Sequence, residues 1–156
     1  MSRKSAGILL YRIHKKIPEV LLVHPGGPIW KNKDLGAWSI PKGEYNEEEA
    51  PLEAALRELH EETGVQIKQS KCVPLTPIKQ KSGKQVLAWA MKGDLDTDHI
   101  KSNLFEFEWP PKSGKKQFFP EVDKAAWFTF PEAKEKINPA QVALLNELDA
   151  MLKDNR

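Results

Sequence analysis

Hydrophobic positions along the chain follow two different periods, which together predict a protein with both strands and helices. Residues 6–13 are almost continuously apolar, and residues 19–24 and 85–91 form further apolar runs. Runs of this kind are typical of strands that are covered on both faces of a sheet. Residues 105–109 alternate aromatic and acidic side chains, which indicates a strand with one buried face, and residues 125–130 predict another strand.

Two further stretches carry a helical period. The first predicted helix begins at Pro51, whose missing N–H is harmless in a first turn, and ends before Gly64, which suits a left-handed stop position. Its apolar side chains have i, i+3, i+4, i+7 spacing and predict one buried face: Leu52, Ala55, Leu56 and Leu59. A short helix is predicted at residues 131–137. A last helix, capped by Asn138 and Pro139, has a similar stripe: Val142, Leu145, Leu148 and Leu152.

Residues 110–120 are predicted to be a loop, because prolines bound a short Lys-Ser-Gly-Lys turn. Lys112, Lys115 and Lys116 belong to this loop. The ordinary interpretation is a solvated hairpin tip, and the functional alternative is a grip on substrate phosphates.

Length and charge limit the classes of protein that fit. A chain of 156 residues predicts a single domain, residues 1–156, with a core large enough to need no disulfide. The 24 basic and 22 acidic residues nearly balance, so bulk charge gives no attraction to nucleic acid or to a membrane. Cys72 is the single cysteine, and no stretch is typical of a secretory signal or a membrane span. We therefore expect a cytoplasmic protein.

Three glutamates in the first helix form an unusual acidic patch. Glu58, Glu61 and Glu62 have i, i+3, i+4 spacing, so we expect their carboxylates on one exposed patch beside the apolar stripe. They lie near the C-terminal end of the helix, where the helix dipole disfavours anions. A hard cation such as Mg²⁺, which prefers carboxylate oxygens, would relieve this repulsion. The alternative is a solvated, Glu-rich helix face.

The stretch around this patch resembles a known motif. Residues 43–65 read GEYNEEEAPLEAALRELHEETGV, and every fixed position of the Nudix box of the Nudix hydrolases is filled. Pattern alone predicts only an α+β or α/β fold. The resemblance implies a Nudix-type α/β/α sandwich with a mixed β-sheet between helices, and a metal-dependent hydrolase that cleaves a pyrophosphate bond.

The resemblance also implies roles for individual residues. Glu58 and Glu62 would be metal ligands with Glu61 beside them, and the main-chain carbonyl of Lys42 would complete the site with Mg²⁺, or Mn²⁺ as an alternative. Arg57 would orient Glu58 and pair with Glu49. The general base would be a box glutamate or a loop carboxylate such as Glu121, for which the plain alternative is a carboxylate at a strand entrance. The expected catalytic residues are therefore Glu58, Glu61, Arg57 and Glu121.

The substrate is less sharply defined. The Trp-Ser-Ile-Pro-Lys-Gly sequence at residues 38–43 is similar to that of diadenosine-polyphosphate hydrolases and of mRNA-decapping Nudix domains. We expect a small nucleotide, such as a dinucleoside polyphosphate or a nucleoside triphosphate, because near-neutral charge weighs against a long RNA. The expected phosphate contacts are Lys42, Lys112, Lys115 and Lys116. The alternatives are an RNA 5′-end or cap pyrophosphohydrolase and a non-catalytic nucleotide- or RNA-binding module.

Overall fold

The protein is built on a seven-stranded mixed sheet and a separate two-stranded hairpin. The computed structural model describes residues 3–66 and 68–154. The strands are β1 (Lys4–His14), β2 (Ile17–Pro25), β3 (Lys42–Glu44), β4 (Cys72–Pro74), β5 (Ile78–Lys79), β6 (Gln85–Lys92), β7 (Leu104–Glu108), β8 (Lys116–Pro120) and β9 (Val122–Thr129). The helices are α1 (Pro51–Thr63), α2 (Phe130–Lys136) and α3 (Val142–Asp154), with 3₁₀ turns at Thr97–His99 and Pro139–Gln141.

The sheet has β1 near its middle, as the continuous apolar run predicts. The strand order is β4-β6-β1-β2-β9, while β3 pairs with β1 and β5 pairs with β6. The β1–β6 pairing is parallel and the other pairings are antiparallel, so the sheet is mixed. Residues 5–10 are all buried, because helices cover both faces of β1.

Successive side chains of the central strands enter two different hydrophobic layers, since they point to opposite faces of the sheet. On one face, Ile8 and Leu10 belong to a cluster with α1. On the other face, Leu9 belongs to a cluster with α2 and α3. The predicted α/β/α sandwich is therefore confirmed.

Helix α1 has the predicted ends. Pro51 lies in its first turn, and Gly64 follows its last residue with φ of 71°. A β-carbon at Gly64 would also overlap the carbonyl oxygen of Lys101, so glycine is required there for two reasons. Ala54, which the predicted stripe omits, is fully buried with Ala55. No helix in the described ranges is both long and apolar enough to cross a bilayer.

The predicted loop at residues 110–120 is wrong in its second half. Residues 116–120 form β8, which pairs with β7 in antiparallel register from Leu104↔Pro120 to Glu108↔Lys116. The sequence Lys-Gln-Phe-Phe-Pro does not alternate polar and apolar residues, so its period gives no strand signal. The strand forms because β7 supplies a partner edge.

Candidate active site

The first part of the candidate site is the contact between strand β3 and helix α1. A β-carbon at Gly43 would overlap the carboxylate of Glu58, so glycine at this position leaves the space that the carboxylate occupies. The Glu58 residue is 7% exposed and counts among the buried polar residues. The expectation of an exposed acidic patch is therefore wrong for Glu58, because strand β3 covers this side of the helix.

Arg57 binds three carboxylates at once. Its Nε and Nη2 atoms donate to the two carboxylate oxygens of Glu49 at 2.7 and 2.9 Å, a two-pronged pairing that fixes the guanidinium plane. Its Nη1 atom donates to Glu58 Oε1 and to Glu61 Oε2, both at 3.0 Å. The pKa of Arg57 is raised, chiefly by its hydrogen bonds to Glu49. Arg57 thereby holds the Glu58 carboxylate in one orientation.

Glu121 reaches the site from a distant part of the chain. Its backbone is held on both sides, because its N–H donates to the carbonyl of Asn103 at 2.8 Å and its carbonyl accepts from the N–H of Gly26 at 2.9 Å. The Asn103 N–H in turn donates to the carbonyl of Glu61 at 2.9 Å. The segment before β7 therefore joins the Glu121 loop to the C-terminal end of α1.

These elements bring three carboxylates together. Glu58, Glu62 and Glu121 each offer one oxygen, and these oxygens lie within 4.8 Å of one another. We call these three residues the carboxylate cluster. The carboxylate of Glu61 is not in this group, and Arg57 binds it instead.

Without a bound cation, ionisation of the three carboxyl groups of the cluster is unfavourable. Burial, followed by the nearby charge of Glu58, raises the pKa of Glu62 to about 8. Burial raises the pKa of Glu58, and the charge of Glu61 adds to this effect while Arg57 opposes it. Burial and then the charge of Glu61 raise the pKa of Glu121. The three carboxyl groups are therefore hard to ionise side by side without a neighbouring positive charge. Their converging oxygens are a set of ligands that fits a hard divalent cation such as Mg²⁺.

Lys42 contributes through its backbone. Its N–H donates to Glu62 Oε1 at 3.2 Å, which links β3 to the cluster. Burial, followed by the neighbouring charge of Lys84, lowers the pKa of the Lys42 ammonium. The ligation of a metal by its carbonyl, and contact of its side chain with substrate, stay predictions.

The three loop lysines lie at the opposite end of the hairpin from the cluster. Pro120, at the base, adjoins Glu121, whereas Lys116 pairs with Glu108 four residues away. At about 3.3 Å per residue, that separation is roughly 13 Å. All three lysines are exposed, and the ammonium of Lys116 lies 3.4 Å from Glu106. The structure does not bring Lys112, Lys115 or Lys116 to the cluster, and their phosphate contacts stay a prediction.

Comparison with known proteins identifies the family. The model of the NUDIX domain matches residues 1–148. The RNA pyrophosphohydrolase of Bartonella henselae is 36% identical over 67 residues, which is 40% of this chain and 36% of that protein. The RNA pyrophosphohydrolase of Erythrobacter litoralis is 56% identical over 34 residues, 22% of this chain and 21% of that protein. The chain thus matches only about a third or less of the length of these relatives.

Solved structures show the same fold. A C. elegans Ap4A hydrolase binary complex has a TM-score of 0.65 at 22% identity, covering 97% of this chain and 98% of that one. The NUDIX domain of Shewanella oneidensis NrtR, complexed with ADP ribose, has a TM-score of 0.63 at 17% identity, covering 97% and 89%. At these identities the likeness establishes the fold alone.

Proposed function

The chain belongs to the Nudix family, and on that premise we propose that it is a Mg²⁺-dependent hydrolase of a nucleoside diphosphate linked to another moiety. The observation that supports this most directly is the carboxylate cluster, in which Glu58, Glu62 and Glu121 present oxygens within 4.8 Å of one another. Three buried or half-buried carboxylates at this spacing do not stabilise the fold, because each one raises the free-energy cost of ionising the others. A role in binding a cation explains their convergence better.

The residues of the cluster have distinct roles in this proposal. Glu58, Glu62 and Glu121 would hold Mg²⁺, or Mn²⁺ as the alternative, with the Lys42 carbonyl beside them. The bound cation supplies charge neutralisation on the phosphates and a more acidic water. Arg57 holds Glu58 in position through the bonds described above. Glu61, or Glu121 if Glu58 and Glu62 hold the cation without it, accepts the proton of the water as the water oxygen bonds to phosphorus and the bridging P–O bond breaks.

For the substrate, we favour small nucleotides such as nucleoside triphosphates and dinucleoside polyphosphates. The near balance of 24 basic and 22 acidic residues supports this choice, since binding to a long RNA backbone needs a surplus of cations. The second candidate is a triphosphorylated RNA 5′ end. The Bartonella henselae and Erythrobacter litoralis relatives, which are named RNA pyrophosphohydrolases, favour that candidate.

A substrate panel tests the proposal. Nucleoside triphosphates, diadenosine tetraphosphate and 5′-triphosphorylated oligoribonucleotides are incubated with the protein and Mg²⁺, and the products are identified by mass. Reaction in ¹⁸O-labelled water shows which phosphorus is attacked. We expect cleavage of a P–O–P bond in at least one class. Tight binding of a nucleotide with no cleavage of any substrate would support a non-catalytic binding module instead.

A further inference from the structure

A buried histidine lies near the candidate active site and takes no part in the proposed chemistry. His24 is close to the end of β2 and is 2% exposed. Its Nε2 atom donates to the carbonyl oxygen of Lys33 at 2.6 Å, and its Nδ1 atom lies 2.8 Å from Oδ1 of Asp123. A carbonyl oxygen can only accept, so Nε2 carries a hydrogen, and Nδ1 shares a proton with the Asp123 carboxyl group. One ring therefore joins the loop after β2 to the start of β9.

Asp123 reaches this ring from a β-bulge in strand β9. The pairing of β9 with β2 passes directly from Lys124 to Val122, so Asp123 is an extra residue on β9. The core shows the same shift, because Val122 and Ala125 are both buried in the hydrophobic layer that contains α1. On a regular strand, residues three apart point to opposite faces. Bulges of this kind turn individual side chains in new directions and are frequent beside active sites.

The bulge also determines the face of the sheet on which Glu121 lies. A change of register by one residue moves every side chain beyond it to the opposite face. Without the bulge, Val122 would leave the hydrophobic layer, and Glu121 would turn with it. The position of the Glu121 carboxylate at the carboxylate cluster therefore depends on Asp123, which follows it by two residues.

The contacts around the histidine ring hold it in one orientation. The N–H of Gly26 donates to the carbonyl of Glu121 at 2.9 Å, and a β-carbon at Gly26 would overlap the carbonyl oxygen of Pro120. The ring of Trp38 meets that of His24 edge-on, with centroids 5.2 Å apart. The ring and the glycine thus hold the same two chain segments at neighbouring points.

Stability alone does not explain a histidine at this position. An apolar side chain would fill the same space without the free-energy cost of removing two ring nitrogens from water. What the histidine adds is direction. Its bond to Lys33 fixes the rotation of the ring, and the fixed ring then fixes the carboxyl group of Asp123.

We propose that His24 is a positioning residue for Glu121. Through its bond to Asp123 it holds the bulge that keeps the Glu121 carboxylate at the carboxylate cluster. This inference rests on the proposed function, which gives Glu121 a place among the ligands of a cation. Side chains that orient a metal ligand without touching the metal matter for the metal site, and their loss typically lowers metal affinity by about 10–100-fold.

Two substitutions at His24 separate its two bonds. The side-chain nitrogen of asparagine takes the place of Nδ1, whereas that of glutamine takes the place of Nε2. His24→Asn therefore keeps a donor for Asp123, and His24→Gln keeps only the donor for Lys33. Binding of Mn²⁺ to the full chain, measured by electron paramagnetic resonance, should weaken by about tenfold or more in His24→Gln and much less in His24→Asn.

Variants of Asp123 test the same bond from its other end. Asp123→Ala should weaken Mn²⁺ binding by about tenfold or more. Asp123→Asn should restore most of the affinity, because it keeps an oxygen for the ring, and this rescue separates the bond from the negative charge. In a Glu121→Ala background, Asp123→Ala should have no further effect, since it acts through Glu121. Asp98→Ala, which removes an exposed carboxylate from the Thr97–His99 turn, is the matched control and should bind Mn²⁺ as wild type does.

Hydrogen exchange of the Gly26 amide reports the same contact without metal. This amide donates to the carbonyl of Glu121, so a displaced Glu121 segment leaves it open to exchange. In chelator-treated protein, nuclear magnetic resonance should show at least about tenfold faster exchange of this amide in Asp123→Ala and His24→Gln. Its exchange in Asp98→Ala and Asp123→Asn should stay close to that of the wild type.

The outcomes separate this inference from the proposed function. If both readouts depend on Asp123 but no panel substrate is hydrolysed, the proposed function falls and the positioning role stands. If a substrate is hydrolysed and Asp123→Ala matches Asp98→Ala in both readouts, the positioning role falls. Equal losses in His24→Asn and His24→Gln, or an undiminished effect of Asp123→Ala without Glu121, would also overturn it. If the His24 variants do not fold, the Asp123 variants decide, and if wild type binds no Mn²⁺, the exchange of Gly26 decides.

Discussion

Gly43 shows how a single residue determines the position of a carboxylate of the cluster. The space that its missing side chain leaves is filled by the carboxylate of Glu58. Arg57 holds the same carboxylate from the other side, with Nη1 at 3.0 Å from Oε1. The buried position of Glu58 therefore depends on a strand residue and a helix residue together.

A double-mutant cycle tests this dependence. Gly43→Ala should cost about 1–3 kcal/mol of unfolding free energy in the wild-type background, because the added methyl group overpacks against Glu58. In a Glu58→Ala background the same substitution should cost much less, since the overlapping carboxylate is gone. Denaturant unfolding of the four proteins measures both costs. Equal costs in the two backgrounds would show that Glu58 does not occupy this space.

The raised pKa of Glu62 predicts that the free energy of unfolding of the metal-free protein depends on pH. Burial and Glu58 raise its folded-state pKa to about 8, above the ordinary value of 4.5, so the folded protein binds this proton more tightly than the unfolded chain. The stabilisation is complete below pH 4.5 and is lost as the pH rises towards and through about 8. Glu62→Gln should therefore stabilise the chelator-treated protein at pH 9 by about 1–3 kcal/mol.

The same substitution should have much less effect at pH 4.5, where the wild-type carboxyl is already neutral. Glu53→Gln, which removes an exposed charge from the first turn of the same helix, is the control and should show no such pH dependence. Urea unfolding with excess chelator at both pH values gives the comparison. An effect of Glu62→Gln that is equal at pH 4.5 and pH 9 would contradict the raised pKa.

At the scale of elements, α1 and the hairpin differ in how far their sequences reveal them. Every feature of α1 is local: Pro51 starts it, Gly64 ends it, and the apolar spacing gives its buried face. Strand β8 depends on pairing with β7, and Glu121 reaches the cluster only through Asn103 and Gly26. The sequence therefore predicts the helix and two cluster carboxylates, whereas the distance between Glu121 and Glu62 requires the tertiary structure.

The order of features along the hairpin predicts what its lysines do. From base to tip the hairpin presents Glu121, then Phe105 and Phe107, and then Lys115 and Lys116. Lys115 and Lys116 lie roughly 13 Å along the hairpin from the cluster, so they can reach only phosphates that lie well away from the scissile bond. An RNA chain has such phosphates, and ATP does not.

Lys115→Ala combined with Lys116→Ala should therefore raise KM for a 5′-triphosphorylated oligoribonucleotide and leave KM for ATP unchanged. Exposed phosphate contacts are screened, so we expect a cost of about 0–1 kcal/mol each, or up to about thirtyfold in KM for the pair. Steady-state kinetics at low salt, with diadenosine tetraphosphate as a third substrate, make the comparison. A larger effect on diadenosine tetraphosphate than on the oligoribonucleotide would restore the alternative in which the lysines grip a polyphosphate chain.

At the scale of the whole molecule, the sheet places residues of the site from distant segments of the chain beside α1. Strand β1 pairs with β3, which carries Gly43, and β2 pairs with β9, which follows Glu121. Apolar runs and helix stripes predict which faces of the strands and helices are buried, since burial imposes a regular period on each element. The α/β/α arrangement of those elements comes from the resemblance of residues 43–65 to the Nudix box. The pocket between residues 25–30 and the β7–β8 hairpin has no such period, because it forms where a glycine-containing loop and a hairpin meet.

The most direct test of the carboxylate cluster measures turnover of the best panel substrate after exhaustive chelation and again after Mg²⁺ is added. We predict no turnover in the chelated wild-type protein and full recovery with Mg²⁺. Glu62→Gln should remain at least about 10²-fold slower at every Mg²⁺ concentration, because it loses a ligand of the cation. Glu53→Gln should behave as wild type. Full turnover without metal, or wild-type turnover by Glu62→Gln, would contradict a cation-holding role for the cluster.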